Sequence, residues 1–266
     1  VLIIYNYFTN NIKNKILNNK NKIKINENSE LHIIEYTINK SESKFINNVY
    51  ENIILEKNSK FKNLILQSNK SEGFFHKFLK NKLSQNSDCT NLIFSSGLKF
   101  NKIDIACDLL GENCTSNILS ALFLKKNEHQ EIKTLINHLV PNCKSNQKVK
   151  NVLSSESKGV YQGKIFVKDE AQKTDAYQLS KALLLDDNAE FNSKPELEIY
   201  ADDVKCSHGS TSGNLDENSI FYLMSRGLNY QQARELLING FLLDVIEKIT
   251  DQEIKDLIKN IMNIKE

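Results

Sequence analysis

Residues 91–111 read NLIFSSGLKFNKIDIACDLLG, and this stretch shows most clearly how the chain folds. It consists of short apolar or alternating runs rich in Ile, Leu and Phe, separated by Ser, Gly, Lys and Asn, which is typical of β-strands. Asn, Ser and Gly tolerate the backbone conformations of sharp corners. Similar runs occupy residues 31–38, 61–67, 117–125 and 158–167. Repeated short strands at nearly even spacing predict a sandwich, a barrel or a solenoid, and periodicity alone does not choose among them.

Beyond Gly213 the hydrophobic pattern changes to a helical period. Capping residues predict three helix starts, at Asp216, at Asn229 with Gln232, and at Thr250 with Glu253. Gly227 is a natural end for the first of these helices. An amphipathic face follows, predicted as core, made by Ala233, Leu236, Leu237, Phe241, Leu242, Val245, Ile246 and Ile249.

Composition limits the class of protein only broadly. A formal net charge of +2 over 266 residues, with Lys interleaved among Asn and Glu, gives no basic patch for nucleic acid. The Asn- and Lys-rich residues 10–28 are predicted to be a solvated surface segment. The opening VLIIYNYF is too short for a secretory signal core, and no apolar run is long enough to cross a bilayer. Because the chain begins at Val1, we expect a processed or incomplete piece.

Five cysteines at irregular spacing indicate a reducing compartment. Four of them are predicted to pack as small apolar groups in the interior: Cys89, Cys107, Cys114 and Cys143. Cys206 differs because it stands two residues before His208 at the end of a strand-like run, where side chains at i and i+2 share a face. Thiolate and imidazole suit iron, iron-sulfur clusters and zinc. Two ligands do not close a tetrahedral site, so the others would come from elsewhere in the fold or from a second chain. The alternative is a buried cysteine beside a structural histidine.

Several enzyme classes lack support in the sequence. The nucleotide-binding motif GxxxxGK[ST] does not occur, and neither do GxSxG, HExxH or CxxC. Asp202 and Asp203 resemble the paired acids of a polysaccharide-cleaving β-helix enzyme. Adjacent residues of a strand point to opposite faces, however, so these two carboxylates are expected to hydrogen-bond at a turn or to neighbouring strands instead.

Three segments carry a resemblance to a known family. They are GVYQGKIFVKDEAQKTDAYQLSKALLL at 159–185, KPELEIYADDVKCSHG at 194–209 and SRGLNYQQARELLINGFLLDVIEKI at 225–249. Together they resemble the SufB/SufD family of iron-sulfur cluster assembly proteins, and KCSH at 205–208 favours the SufD side. The region before Asn137 is less similar, and GSTSG at 209–213 departs from the family's commoner GATxG.

The resemblance implies a mainly β fold with a right-handed parallel β-helix core followed by a C-terminal α-helical domain. We expect a partial N-terminal segment at 1–30, the β-helix at 31–213, and a helical domain at 214–266 that docks the ABC-type ATPase SufC. In a β-helix, runs such as LEIYADDVKC become rungs. Val204, Cys206 and His208 then share one face, provided that the strand has no bulge.

The resemblance also implies a function, a SufD-like subunit of the SufBCD scaffold and not an enzyme. Its expected partners are a SufB-like paralogue and SufC, with a homodimer when isolated, and no nucleic acid or membrane. A transient iron-sulfur cluster shared with the partner would be held by His208 first and Cys206 next, and no nucleotide would bind this chain. The expected compartment is the cytoplasm, an organelle stroma or a plastid. The alternatives are a SufB-like principal scaffold and an inert adaptor subunit.

Overall fold

The computed structural model describes residues 1–67, 70–249, 251–262 and 264. Within them, strands lead into helices. The strands are β1 (Leu2–Phe8), β2 (Ile16–Ile25), β3 (Glu30–Asn39), β4 (Ile46–Leu55), β5 (Lys60–Gln67), β6 (Ser71–Leu83), β7 (Asp88–Ser96), β8 (Leu98–Leu109), β9 (Thr115–Leu124), β10 (His129–His138), β11 (Lys144–Leu153), β12 (Lys158–Val167), β13 (Thr174–Leu184), β14 (Glu190–Ile199) and β15 (Val204–Asn214). The helices are α1 (Glu217–Ser225), α2 (Tyr230–Ile246) and α3 (Gln252–Met262).

Consecutive strands alternate between two parallel sheets. The odd-numbered strands form an eight-stranded sheet in the order β1 to β15, and the even-numbered strands form a seven-stranded sheet from β2 to β14. Each turn of the chain therefore adds one strand to each sheet, and the chain winds as a parallel β-helix of about seven turns. The predicted β-helix with C-terminal helices is confirmed. Of the three architectures that the strand pattern allowed, the solenoid is the one that forms.

A ladder of asparagines shapes one corner of the coil. Five asparagines follow an even-numbered strand and adopt a left-handed conformation with φ between 57° and 62°: Asn28, Asn58, Asn86, Asn113 and Asn142. Asparagine adopts this conformation more readily than other residues with a side chain. The amides also stack along the ladder, because Nδ2 of Asn58 donates to Oδ1 of Asn28 at 2.9 Å and Asn86 donates to Asn58 at 2.9 Å. The corner thus joins successive coils.

The residue after each corner asparagine fills the inside of the bend. Four such residues are at most 1% exposed: Ser59, Ser87, Cys114 and Cys143. Cys114 and Cys143 therefore occupy the same place as serines in earlier coils. The prediction that Cys89, Cys107, Cys114 and Cys143 are buried is confirmed, since each is 0% exposed.

The helices pack on the outer surface of the odd-numbered sheet. α2 contacts β9 and β11, and α3 contacts β7. Their apolar side chains close over outward-facing residues of that sheet, including Leu92, Phe94 and Leu119. An ion pair strengthens the contact, because Asp244 accepts from Lys148 at 2.6 Å and from Lys150. Much of the amphipathic face is therefore core of this chain, whereas Leu236 remains 40% exposed.

The predicted helix ends agree with the structure where it describes them. The Asp216 carboxylate accepts from the backbone amide of Ser219 at 3.0 Å, and Gly227 has φ 100° just after α1. Asn229 and Gln232 form the reciprocal capping box of α2. The Thr250 cap predicted for the third helix lies outside the described residues. Just before α3, the Asp251 carboxylate accepts from the backbone amide of Ile254 at 3.2 Å.

Two expectations about strands need correction. Residues 91–111 are not one run: Gly97, with φ 84°, forms a corner between β7 and β8. Residues 1–30, which the sequence left poorly defined, form β1, β2 and a short 3₁₀ turn at Asn10–Ile12. β2 lies at the edge of its sheet, and most of its side chains are exposed, in keeping with the expected solvated character of residues 10–28.

We predict that Asn86→Ala destabilises the protein by about 1–2 kcal/mol, because alanine is unfavourable at φ 57° and the amide ladder is broken. Asn48→Ala is the matched control: it removes a similar exposed amide bond, from Asn48 to Asn18 at 2.9 Å, within an ordinary strand. We expect the control to cost less than about 0.5 kcal/mol. Urea unfolding measures both values. Equal losses in the two variants would contradict a role for the left-handed corner.

Candidate functional site

The site lies on β15, the last strand of the odd-numbered sheet. β15 pairs with β13 in parallel, with Ala176 opposite Cys206 and Gln178 opposite His208. No register shift interrupts the pairing from Val204 to Asn214. Among the described residues no strand covers the other edge of β15, so its outer row of backbone groups is unpaired.

Cys206 and His208 both face the interior of the β-helix. Cys206 packs with Val204 against an apolar cluster in the last coils. Two residues beyond His208, Ser210 accepts a hydrogen bond at 2.9 Å from Ser180, which is 0% exposed. Because side chains alternate in an unbroken strand, His208 lies on the same inward face as Cys206 and Ser210. The Cα atoms of Cys206 and His208 are about 7 Å apart along the strand.

The strand continues well beyond the pair. The sequence placed Cys206 and His208 at a strand end, but β15 runs on through GSTSG to Asn214. The run LEIYADDVKC is also not one rung, because β14 ends at Ile199 and the chain turns before β15.

The two side chains differ in their surroundings. Cys206 is partly buried, and this burial raises the pKa of its thiol, with a smaller contribution from the nearby Asp175 carboxylate. The thiol is therefore mostly protonated at neutral pH. His208 is exposed at the open end of the coil. Of the two, the imidazole is the better ligand without further activation, because it binds a metal in its neutral form.

The other cysteines do not join this pair. Cys89 and Cys107 lie in the interior of the β-helix, where burial raises the pKa of both thiols, to about 12 for Cys107. Cys114 and Cys143 stack at the corner, where a hydrogen bond between them lowers the pKa of Cys114 to about 6 and raises that of Cys143. In the described part of the chain, no three His, Cys, Asp or Glu side chains are arranged to hold a metal ion.

Asp202 and Asp203 are exposed at the bend between β14 and β15, not within a strand. The backbone amide of Asp203 donates to Oε1 of Gln172 at 2.9 Å, and its carbonyl accepts from Lys173. Asp203 thus closes the last corner through its backbone groups. The turn position agrees with the expectation, although the bonds use the main chain and not the carboxylates.

One residue beside the pair, Gln178, was not predicted from the sequence. It lies thirty residues before His208 and directly beneath it in the coil, and it is 2% exposed. The spacing of the corner asparagines, 30, 28 and 27 residues, was a signal that the sequence offered. A repeat of about this length identifies residues that stack in successive coils.

The chain is therefore a parallel β-helix protein with C-terminal helices and a candidate metal-binding pair, a thiol and an imidazole, on its last strand. The family described as SUF system FeS cluster assembly, SufBD core domain, matches residues 7–241. The chain belongs to this family.

Similar proteins carry related names. The chain is 38% identical over 182 residues to the iron-sulfur cluster assembly protein SufD of Escherichia coli, covering 68% of this chain and 43% of that protein. It is 33% identical over 242 residues to the chloroplastic protein ABCI7 of Arabidopsis thaliana, covering 89% of this chain and 50% of that protein. The chain spans half or less of the length of these relatives. No helix in the described ranges is long and apolar enough to span a membrane.

We predict that a thiol reagent such as iodoacetamide labels one cysteine of the native chain, Cys206, because the other four are 0% exposed. The raised pKa of Cys206 slows the reaction at neutral pH and makes it faster as pH rises. Mass spectrometry counts the labels, and all five thiols react after denaturation in urea. Cys206→Ser should leave the native chain unlabelled. Native labelling at Cys114 would contradict the burial of the corner.

Proposed function

We propose that this protein is a SufD-like subunit of a scaffold that assembles iron-sulfur clusters, and not an enzyme in its own right. One observation carries the proposal: Cys206 and His208 share the inward face of β15, whose outer edge is unpaired among the described residues. The pair lies within the part of the chain that matches the family. The name of the Escherichia coli relative, an iron-sulfur cluster assembly protein, supports the same function.

The open end of the β-helix favours a partner there. β14 and β15 end their sheets, and edge strands offer unpaired backbone groups to another chain. A tetrahedral iron site takes four ligands, and this pair supplies at most two. A SufB-like paralogue seated on the last coil would contribute the remaining ligands, and a second copy of this chain would take that place in its absence.

The nascent cluster is cargo in this proposal, and the ligands should therefore hold it weakly. Imidazole in place of thiolate is a known iron ligand in some clusters, and protonation of the ring releases the metal. His208 is the principal ligand from this chain. Cys206 is auxiliary, because partial burial keeps its thiol protonated until a metal or a base displaces the proton.

The C-terminal helices offer a separate surface. On α1, Phe221 is 75% exposed, Tyr222 56% and Met224 43%, whereas Ile220 is buried against the fold. This apolar group, Phe221, Tyr222 and Met224, is available for docking, unlike the stripe of α2 that the β-helix already covers. We propose that a SufC-like ATPase binds here, so that nucleotide chemistry takes place on the partner.

The SufB-like alternative, in which this chain is the principal scaffold, makes a different prediction. In that case the isolated chain would retain a stoichiometric cluster after anaerobic reconstitution with iron and sulfide. The SufD-like role predicts no such retention by the isolated chain. Visible absorption and metal analysis separate the two.

We predict that His208→Ala lowers the iron and sulfide content of the co-expressed three-protein complex by about tenfold or more while the complex still assembles. Because His208 is exposed, the stability of this chain should change by less than about 0.5 kcal/mol. Ser207→Ala is the matched control, since Ser207 points to the opposite face of the same strand. Cys206→Ala should have an intermediate effect. A His208→Ala complex with the parent's iron content would favour the inert adaptor.

We predict that the double change Phe221→Ser and Tyr222→Ser weakens binding of the ATPase subunit by about tenfold or more, because large exposed aromatic side chains contribute strongly to interfaces. Point changes are preferable to removing residues 215–266, since that deletion would uncover Leu92, Phe94 and their neighbours and compromise the fold. Tyr5→Ser, at the other end of the β-helix, is the control. Calorimetry with the purified ATPase subunit measures the affinity. Unchanged affinity would place the docking surface elsewhere.

A further inference from the structure

Directly beneath His208 lies a buried amide without a well-formed hydrogen bond. Gln178 is 2% exposed and pairs in register with His208 across β13 and β15. Neither Nε2 nor Oε1 of Gln178 has a hydrogen-bond partner among the described residues. Buried side-chain amides in folded proteins are nearly always paired, and those of Gln130 and Asn151 are also unpaired in the described part of the chain, but the Gln178 amide differs in lying directly beneath a candidate ligand.

The orientation of the Gln178 amide follows from its neighbours across the interior. A methyl group added at Gly163 would lie 1.9 Å from Nε2 of Gln178 and 2.4 Å from the Tyr161 hydroxyl oxygen. Nε2 therefore faces the tyrosine side of the interior. The Tyr161 hydroxyl already donates to Oε1 of Gln147 at 3.2 Å, which leaves its lone pairs free to accept from Nε2 of Gln178. Oε1 of Gln178 is then the atom available to the next coil.

His208 is the residue of the next coil that pairs in register with Gln178. Strands of neighbouring coils are about 4.8 Å apart, a distance at which stacked polar side chains bond to one another. Ser180 and Ser210, two residues further along the same two strands, are bonded in this way: Ser180 donates to Ser210 at 2.9 Å. His208 and Gln178 are stacked in register in the same manner, one coil apart.

We propose that Gln178 is a positioning residue for His208. Its Oε1 accepts the hydrogen of one imidazole N–H, and the other ring nitrogen keeps its lone pair and faces the open end of the coil. This inference deepens the proposed function, on which it rests only for the identity of the metal. A histidine ligand generally donates its second ring N–H to an acceptor that fixes the tautomer and the ring orientation.

The amide oxygen of Gln178 is an uncharged hydrogen-bond acceptor for the His208 ring. A carboxylate at position 178 would favour the imidazolium ion, which has no lone pair for a metal. An amide oxygen accepts the same hydrogen bond with a much weaker preference for the cation. Gln178 therefore orients the ring without placing a charge beside it.

The test uses the 266-residue chain with ¹⁵N-labelled histidine, at a pH near 8.5 where exposed imidazoles are neutral. Long-range ¹H–¹⁵N spectra distinguish the two tautomers, and His208→Ala assigns the signal among the five histidines. We expect one dominant tautomer in the parent chain and a mixture in Gln178→Leu. Gln178→Glu retains an acceptor and should keep the dominant tautomer. Ser180→Ala, in the adjacent column, is the control: it removes a hydrogen bond between the same two strands and should leave the His208 signal unchanged.

A second readout uses the three-protein complex, where Gln178→Leu should lower the iron content by about 10-fold. An identical tautomer signature in the parent and in Gln178→Leu would overturn the inference. If Gln178→Leu does not fold, Gln178→Asn replaces it, since its shorter side chain withdraws the oxygen from His208. The two proposals fail separately: the tautomer test does not involve iron, whereas His208→Ala tests the ligand role whatever holds the ring.

Discussion

In-register pairing between parallel coils is the constraint on which the rest of this structure depends. Because β13 and β15 pair without a shift, the position of every inward side chain in one coil determines what lies beneath the side chain of the next. The left-handed asparagine corners give the coils from β3 to β11 the same bend, and Lys173, with φ 58°, occupies the equivalent corner before β13. The unshifted pairing of β13 with β15 places His208 over Gln178 and Ser210 over Ser180.

The sequence predicted much of this structure because strand alternation and helix capping are local. The runs at 31–38 and 158–167 fall within strands, and the capping box of Asn229 and Gln232 forms as expected. The shared face of Cys206 and His208 also follows from alternation alone. Only the resemblance to a family, however, selected a β-helix over a sandwich or a barrel.

The features of the structure that the pattern within a single strand or helix did not predict depend on contacts between elements. Gly97 divides one apolar run into two strands because a corner falls there, and the run's hydrophobicity does not reveal the corner. Gln178 is thirty residues from His208, so only the length of a coil connects them. Leu236 is 40% exposed within a stripe that is otherwise buried or half-buried, because the covered positions depend on where α2 lies against the sheet. None of these features is encoded within a single strand or helix.

The architecture separates two regions with different chemistry. The outer surface of the odd-numbered sheet is covered by α2 and α3 and fixed by Lys148 and Lys150 on Asp244. The Asp244 carboxyl accordingly has a pKa lowered to about 2, against the opposing effect of its partial burial. The last coil, in contrast, ends in strands that are unpaired on one side among the described residues, and it exposes His208.

We propose that His208 binds iron at the junction with a partner chain. Anomalous diffraction at the iron edge, from crystals of the three-protein complex prepared anaerobically with iron and sulfide, would locate the metal. We expect an iron peak within bonding distance of a His208 ring nitrogen, with the other ring nitrogen toward Gln178 and the remaining ligands from the partner. An iron peak elsewhere, with His208 free of metal, would rule out this role.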